Sequence, residues 1–188
     1  MLSGKGMWKT YGFEKYGIPE FFLSDGPHGM RTQEGAGDWL GINKSKAATC
    51  FPTAATIANS WDKDLAEEIA GALGEEAVSF GVDMILGPGM NIKRSPLCGR
   101  NFEYFSEDPY VTGCFAAAVT RGIKKGGSFA TVKHFAANNQ ETARHTVDSV
   151  VSERALREIY LKGFGLQERT EVNRMNLSYV KNCRIGRV

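Results

Sequence analysis

Apolar residues recur every four positions in two stretches of this chain, and each stretch stops at glycine. Within 62–80, Leu65, Ile69 and Leu73 form the stripe and Ala66, Ala70 and Ala77 flank it. Glu67, Glu68, Glu75 and Glu76 fall off the stripe, so the spacing predicts an amphipathic helix. Ser60 or Asp62 can cap its start, and Gly81 ends it. The second stretch carries Val111, Phe115, Val119 and Ile123 on one side. Asp108-Pro109 opens it as a cap followed by proline at the first helical position, and Gly126-Gly127 closes it. Ser152 can cap a last helix with Leu156, Ile159 and Tyr160 on its apolar side.

Between these helices lie short apolar runs bounded by breakers. Residues 18–24 run into Asp25-Gly26-Pro27, residues 82–86 into Gly87-Pro88-Gly89, and residues 129–135 into Asn138-Asn139-Gln140-Glu141. Each reads as a strand. Alternation of strand and helix, with polar loops after each strand, is the pattern of an α/β protein with a parallel sheet. Closing a barrel takes about eight strands. The chain is therefore either an open doubly wound sheet or part of a (β/α)₈ barrel, whose active-site loops gather at the C-terminal ends of the strands.

The loops after the strands hold the candidate chemistry. Cys98 to Pro109 packs Arg100, three aromatic rings and three acids into a short span. That span is either a charged loop whose rings pack on helices or the wall of a site for a ligand with apolar faces and polar edges, such as a sugar. Asp25 is a turn former before Gly-Pro, or a carboxylate that accepts from sugar hydroxyls with Arg31 orienting it. Lys133 and His134 end the third run. Adjacent strand residues face opposite sides, so both enter one pocket only if the strand stops there. Arg144 reads by default as a surface arginine.

Bulk properties narrow the classes. The 188 residues carry a net charge of +2, with 42% hydrophobic and 23% charged residues. This is a globular composition without the electrostatic footprint of a nucleic-acid or membrane binder. No apolar run is long enough to span a bilayer. Met1 to Gly6 lacks the apolar core of a secretion signal, so a cytoplasmic location is expected. The four cysteines are scattered and read as free thiols. The three histidines are not paired at helical ligand spacing, and the glycine clusters lack phosphate-loop spacing. No cofactor is expected, and no catalytic triad is legible.

Five motifs carry a resemblance. Ser-Asp-Gly-Pro-His-Gly-Met-Arg (24–31), Cys-Phe-Pro-Thr-Ala (50–54), Gly-Pro-Gly-Met-Asn-Ile (87–92), Gly-Arg-Asn-Phe-Glu-Tyr-Phe-Ser-Glu-Asp-Pro (99–109) and Lys-His-Phe-Ala-Ala-Asn-Asn-Gln-Glu-Thr-Ala-Arg (133–144) resemble the N-terminal domain of glycoside hydrolase family 3, in its bacterial β-glucosidase branch. The resemblance implies about the first half of a (β/α)₈ barrel over residues 1–162, with 163–188 an off-pattern tail. It implies retaining hydrolysis of terminal β-D-glucosyl residues, and a subsite for that sugar lined by Asp25, Arg31, Arg100, Lys133, His134 and Arg144. Ala136-Ala137-Asn138 replaces the Pro-Gly-His of the family's β-N-acetylglucosaminidases, which disfavours that activity.

The family's nucleophile sits in a Ser-Asp-Trp-like motif and its acid/base in a later segment; neither is in this sequence. Glu103, Glu107 and Asp108 fall where the family does not place catalytic acids. The chain alone is thus expected to be inactive, and, because an incomplete barrel leaves strand edges unpaired and helix stripes uncovered, poorly soluble or partly unfolded. The alternatives are a non-catalytic sugar-binding module or half of a split glycosidase completed by a second polypeptide.

Overall fold

The computed structural model describes residues 4–35, 42–169 and the backbone of 184–186. Three short strands form a parallel sheet in the order β1-β2-β3: β1 (Leu23–Asp25), β2 (Met84–Leu86) and β3 (Phe129–Ala130). Leu23 pairs with Met84 and Asp25 with Leu86, while Met84 pairs with Phe129 and Ile85 with Ala130. The long helices α2 (Lys63–Ser79) and α3 (Pro109–Lys125) connect these strands in turn, after a short α1 (Ala54–Asn59). The chain is therefore a parallel α/β unit, as the strand–helix alternation implies, and it fits the partial barrel that the family resemblance implies.

The strands are shorter than the apolar runs that predict them. Residues before β1 turn instead to the N-terminal segment, with the Leu23 amide donating to Trp8 O at 2.7 Å and a bridge between Lys9 and Phe22. After β3 the backbone keeps contact with the β2 exit in an irregular way. Thr131 N donates to Ile85 O and to Gly87 O, and Lys133 N to Pro88 O. The strand has stopped by Lys133, so strict alternation of side chains no longer governs Lys133 and His134.

Helix ends follow their capping residues. Asp62 Oδ1 accepts from the amides of Asp64 and Leu65 at 3.0 Å, and Asp108 Oδ1 from Val111 N at 2.7 Å. The buried face of α2 departs from the expected stripe. Ala66, Ala70, Leu73, Gly74 and Ala77 are buried, whereas Leu65 is exposed. The reason is close approach to α3: a Cβ at Gly122 would lie 2.6 Å from the Ala70 methyl and would clash with Glu67 O. Small residues on both helices set the contact, and the larger Leu65 turns away. Phe115, Val119 and Ile123 are buried on α3 as their spacing predicts.

The C-terminal helix starts at its Ser152 cap and runs as α4 (Glu153–Ala155), a wider π-type turn (Leu156–Tyr160) and α5 (Lys162–Arg169). It continues past residue 162, with Phe164 and Gln167 buried. A Cβ at Gly113 of α3 would lie 2.9 Å from the Leu166 side chain, so α3 and α5 also touch closely. A second parallel pair, β4 (Asp148–Val150) with β5 (Arg184–Gly186), was not legible in the sequence. The rest of the tail beyond Arg169 lies outside the described residues. Cys50, Cys98 and Cys114 are free thiols, and Cys183 lies outside the described residues.

Candidate functional site

Three connections meet at the C-terminal ends of the sheet. Asp25 is the last residue of β1. Gly26 follows it with φ 121°, and a Cβ there would clash with Gly29 O, so the turn that leaves Asp25 at the strand end needs glycine. The β2–α3 connection supplies Arg100 and a 3-10 turn, Asn101–Glu103. The segment after β3 supplies Lys133 and His134, joined by a cis peptide.

Lys133 is the centre of the cluster. Its Nζ donates to Asp25 Oδ1 at 2.9 Å and lies 3.4 Å from Glu103 Oε2. Arg100 Nε donates to Glu103 Oε1. The Arg100 NH1 group lies 3.9 Å from Glu141, which in turn accepts from Arg144 NH1 at 3.0 Å. The side chain of Glu103 is 2% exposed and that of Lys133 5%, while Asp25 remains 33% exposed. Two buried charges thus stand beneath one accessible carboxylate. Burial by itself would raise the Asp25 pKa. The Lys133 charge and hydrogen bond, the Gly26 amide and the Arg100 charge outweigh it and hold Asp25 below its ordinary value. Asp25 is therefore an anion at neutral pH.

His134 is held by a neutral network. Its amide donates to Asn91 Oδ1 at 2.9 Å, and Asn91 Nδ2 donates to His134 O at 2.8 Å. The imidazole Nδ1 lies 3.2 Å from Asn91 Oδ1 and shares a 3.1 Å hydrogen bond with the Tyr104 hydroxyl. Asn138 Nδ2 donates to that hydroxyl and to Glu141 Oε1, each at 2.9 Å. Burial pushes the Tyr104 hydroxyl well above its ordinary range, so it stays protonated. Burial likewise lowers His28 to about 4, with Glu103 and Lys133 acting on it in opposite directions. His28 is thus a neutral ring beside the cluster, its Nε2 accepting from Ala54 N at 3.2 Å.

The structure brings Asp25, Arg100, Lys133 and His134 together, with Arg144 tied in through Glu141. Arg31 is placed differently from the expectation that it orients Asp25. Its amide donates to Asp25 O at 3.0 Å, but its exposed side chain lines a separate cavity of about 280 Å³ with Lys5, Trp8 and Gln33. Lys133 orients the Asp25 carboxylate instead. Glu103, Glu141, Tyr104, Asn138 and Asn91 complete the site and were not assigned to it from the sequence, where Glu103 figured only as an acid set aside from catalysis. Spacing offers a signal for the first two, each three residues from an arginine on one turn. Asn91 offers none, since it meets His134 across 43 positions of sequence. Among the described residues no group of His, Cys, Asp and Glu is arranged to hold a metal ion.

The fold and the cluster together define a parallel α/β unit that carries a polar rim at its strand ends, as barrel hydrolases do. Residues 17–176 match the model of the glycosyl hydrolase family 3 N terminal domain, and the chain belongs to that family. It is 54% identical to thermostable beta-glucosidase B of Acetivibrio thermocellus over 164 residues, which is 87% of this chain and 22% of the relative. It is 47% identical to exo-alpha-(1->6)-L-arabinopyranosidase of Bifidobacterium longum over 166 residues, 87% of this chain and 22% of the relative. The structure of beta-glucosidase from Kluyveromyces marxianus in complex with glucose superposes with a TM-score of 0.85 at 38% identity, covering 97% of this chain and 21% of that one. The chain thus spans about a fifth of the length of these relatives.

Proposed function

We propose that this chain forms the terminal-sugar subsite of a retaining β-glucosidase, with Asp25, Lys133 and His134 binding ring hydroxyls and Arg100 and Arg144 fixing the walls. The observation that carries this reading is the half-open Asp25 carboxylate held beside a buried lysine. An ionised carboxylate accepts from two hydroxyls of one ring, and an ammonium placed next to it donates to a third oxygen. Such paired, charge-assisted contacts suit a polyol and orient it. Beta-glucosidases among the relatives support the substrate class.

The same geometry argues that the chemistry comes from residues outside this chain. Retaining hydrolysis needs a nucleophile and an acid/base about 5–5.5 Å apart. Each acid of the cluster is already engaged by a cation: Asp25 by Lys133, Glu103 by Arg100 and Lys133, and Glu141 by Arg144. The chain by itself is therefore a binder that does not turn over substrate.

A second sugar is favoured by one observation: a relative of similar identity is named for an α-L-arabinopyranoside. Both substrates end in a pyranose, so the test uses both. Glucose and L-arabinose are titrated against the chain by ligand-observed NMR, and the 4-nitrophenyl derivatives of both glycosides are offered as substrates. Saturable glucose binding, lost in Asp25→Ala, with no release of nitrophenol, is the expected result. Turnover by the chain alone would overturn the division between binding and chemistry. Preference for arabinose would move the substrate to the second class.

A further inference from the structure

Glu103 is the most deeply buried acid of the cluster, yet nothing in its motif marks it for contact with a ligand. Its carboxylate divides its two oxygens between two cations. Oε1 accepts from Arg100 Nε and Oε2 lies 3.4 Å from Lys133 Nζ. Its backbone is fixed as well, with Glu103 N donating to Arg100 O at 3.1 Å within the 3-10 turn. Counting the linked groups, three carboxylates (Asp25, Glu103, Glu141) face three cations (Arg100, Lys133, Arg144). Among the described residues these charges are equal in number, and Glu103 pairs with both Lys133 and Arg100.

We propose that Glu103 is a positioning residue for sugar binding, holding Lys133 and Arg100 in register so that Asp25 and Lys133 present to one ligand. The proposal rests on reading the cluster as a sugar site. An ammonium has three donors. With one directed at Asp25 and Glu103 held 3.4 Å away as a second counter-ion, Lys133 is pinned from below and keeps a donor for a hydroxyl. Without Glu103, Asp25 is the counter-ion that remains to the lysine among the described residues. The lysine then settles across both Asp25 oxygens and occupies the acceptors that ring hydroxyls need. Arg100 loses its nearer partner at the same time and keeps Glu141, 3.9 Å away, as its counter-ion.

Loss of the Glu103 charge by itself moves the Asp25 titration, whereas a positioning role also needs the length of the Glu103 side chain. Asp25 reports the charge, and sugar affinity in a variant that keeps the charge reports the position. The charges around Asp25 are Lys133 from the segment after β3, Arg100 and Glu103 from the β2–α3 connection, and the neutral His28 on its own loop. Removing the Glu103 charge leaves Lys133 wholly to Asp25, so the Asp25 midpoint moves further down.

The test compares the wild-type chain with Glu103→Gln and Glu103→Asp. Glucose affinity is read by ligand-observed NMR at neutral pH, and the Asp25 carboxyl midpoint by carbon NMR. Glu103→Gln is expected to weaken glucose binding about tenfold, the size of one charge-assisted hydrogen bond, and to lower the Asp25 midpoint. Glu103→Asp keeps the charge on a stem one carbon shorter, and is expected to restore the midpoint without restoring affinity. Should Glu103→Gln fail to fold, Glu103→Asp decides alone, and wild-type affinity in it overturns the proposal. Affinity within about twofold of wild type in Glu103→Gln, or an unmoved Asp25 midpoint, also overturns it. A wild-type chain that binds neither glucose nor L-arabinose overturns the sugar-site reading and the proposal with it.

Discussion

His28 couples the site to stability. Burial lowers it to about 4 from an ordinary value of 6.5. Between those two values the unfolded chain takes up a proton that the folded chain refuses. Stability from this residue is therefore full above about pH 6.5 and declines as the pH falls toward about 4. Between pH 7 and pH 4.5 the loss amounts to about 2 kcal/mol at 1.36 kcal/mol per unit. Asp25 works in the same direction, because its folded value is depressed: its contribution is present above the ordinary carboxylate range and is lost as the pH falls through the lowered value. Urea unfolding at both pH values should show a smaller difference in His28→Gln than in wild type. An equal difference would mean that His28 is protonated in the folded chain.

The long helices show how packing overrides a hydrophobic stripe. Leu65, Ile69 and Leu73 repeat at helical spacing, but Ala66, Ala70 and Ala77 take the buried face. The α2–α3 contact is set by backbone approach at Gly122, where an added methyl would meet Glu67 O and the Ala70 side chain. Gly122→Ala is expected to destabilise the chain by about 1–3 kcal/mol, as overpacking does. The check is the urea midpoint, with Ser79→Ala on the exposed end of α2 as a control that leaves it within about 0.5 kcal/mol. An unchanged midpoint in Gly122→Ala would show that the helices stand further apart. Capping behaved more simply than packing. Asp62 and Asp108 were legible as caps because the side-chain oxygen acts on its own helix, three residues away at most. The strands were over-long in the sequence reading for the opposite reason. Residues 18–22 and 131–135 leave the ladder for loop contacts: Thr10 N donates to Phe21 O and Lys133 N to Pro88 O, while Ile18 and Phe135 are exposed.

In the molecule as a whole, the parallel sheet and the gathering of loops at one sheet end followed from alternation of elements and from breakers after each apolar run; the order β1-β2-β3 did not, because alternation suits a doubly wound sheet as well as a barrel. Asp25, Arg100 and the Lys133-His134 pair were legible as candidates because they lie at or after the ends of three separate strands. The partners that bind them together were not, because Asn91, Tyr104, Asn138 and Glu141 meet through tertiary contact. Arg31 shows the converse: its closeness to Asp25 in sequence brought its amide to that residue and its side chain elsewhere. The chain belongs to glycoside hydrolase family 3 and spans about a fifth of the length of the relatives compared. The account stands on where a sugar sits. A crystal structure of the chain soaked with glucose tests this, with the sugar hydroxyls expected within hydrogen-bond reach of Asp25 and Lys133. Glucose found in the cavity beside Trp8 and Arg31, with the Asp25–Lys133 pair untouched, would contradict it.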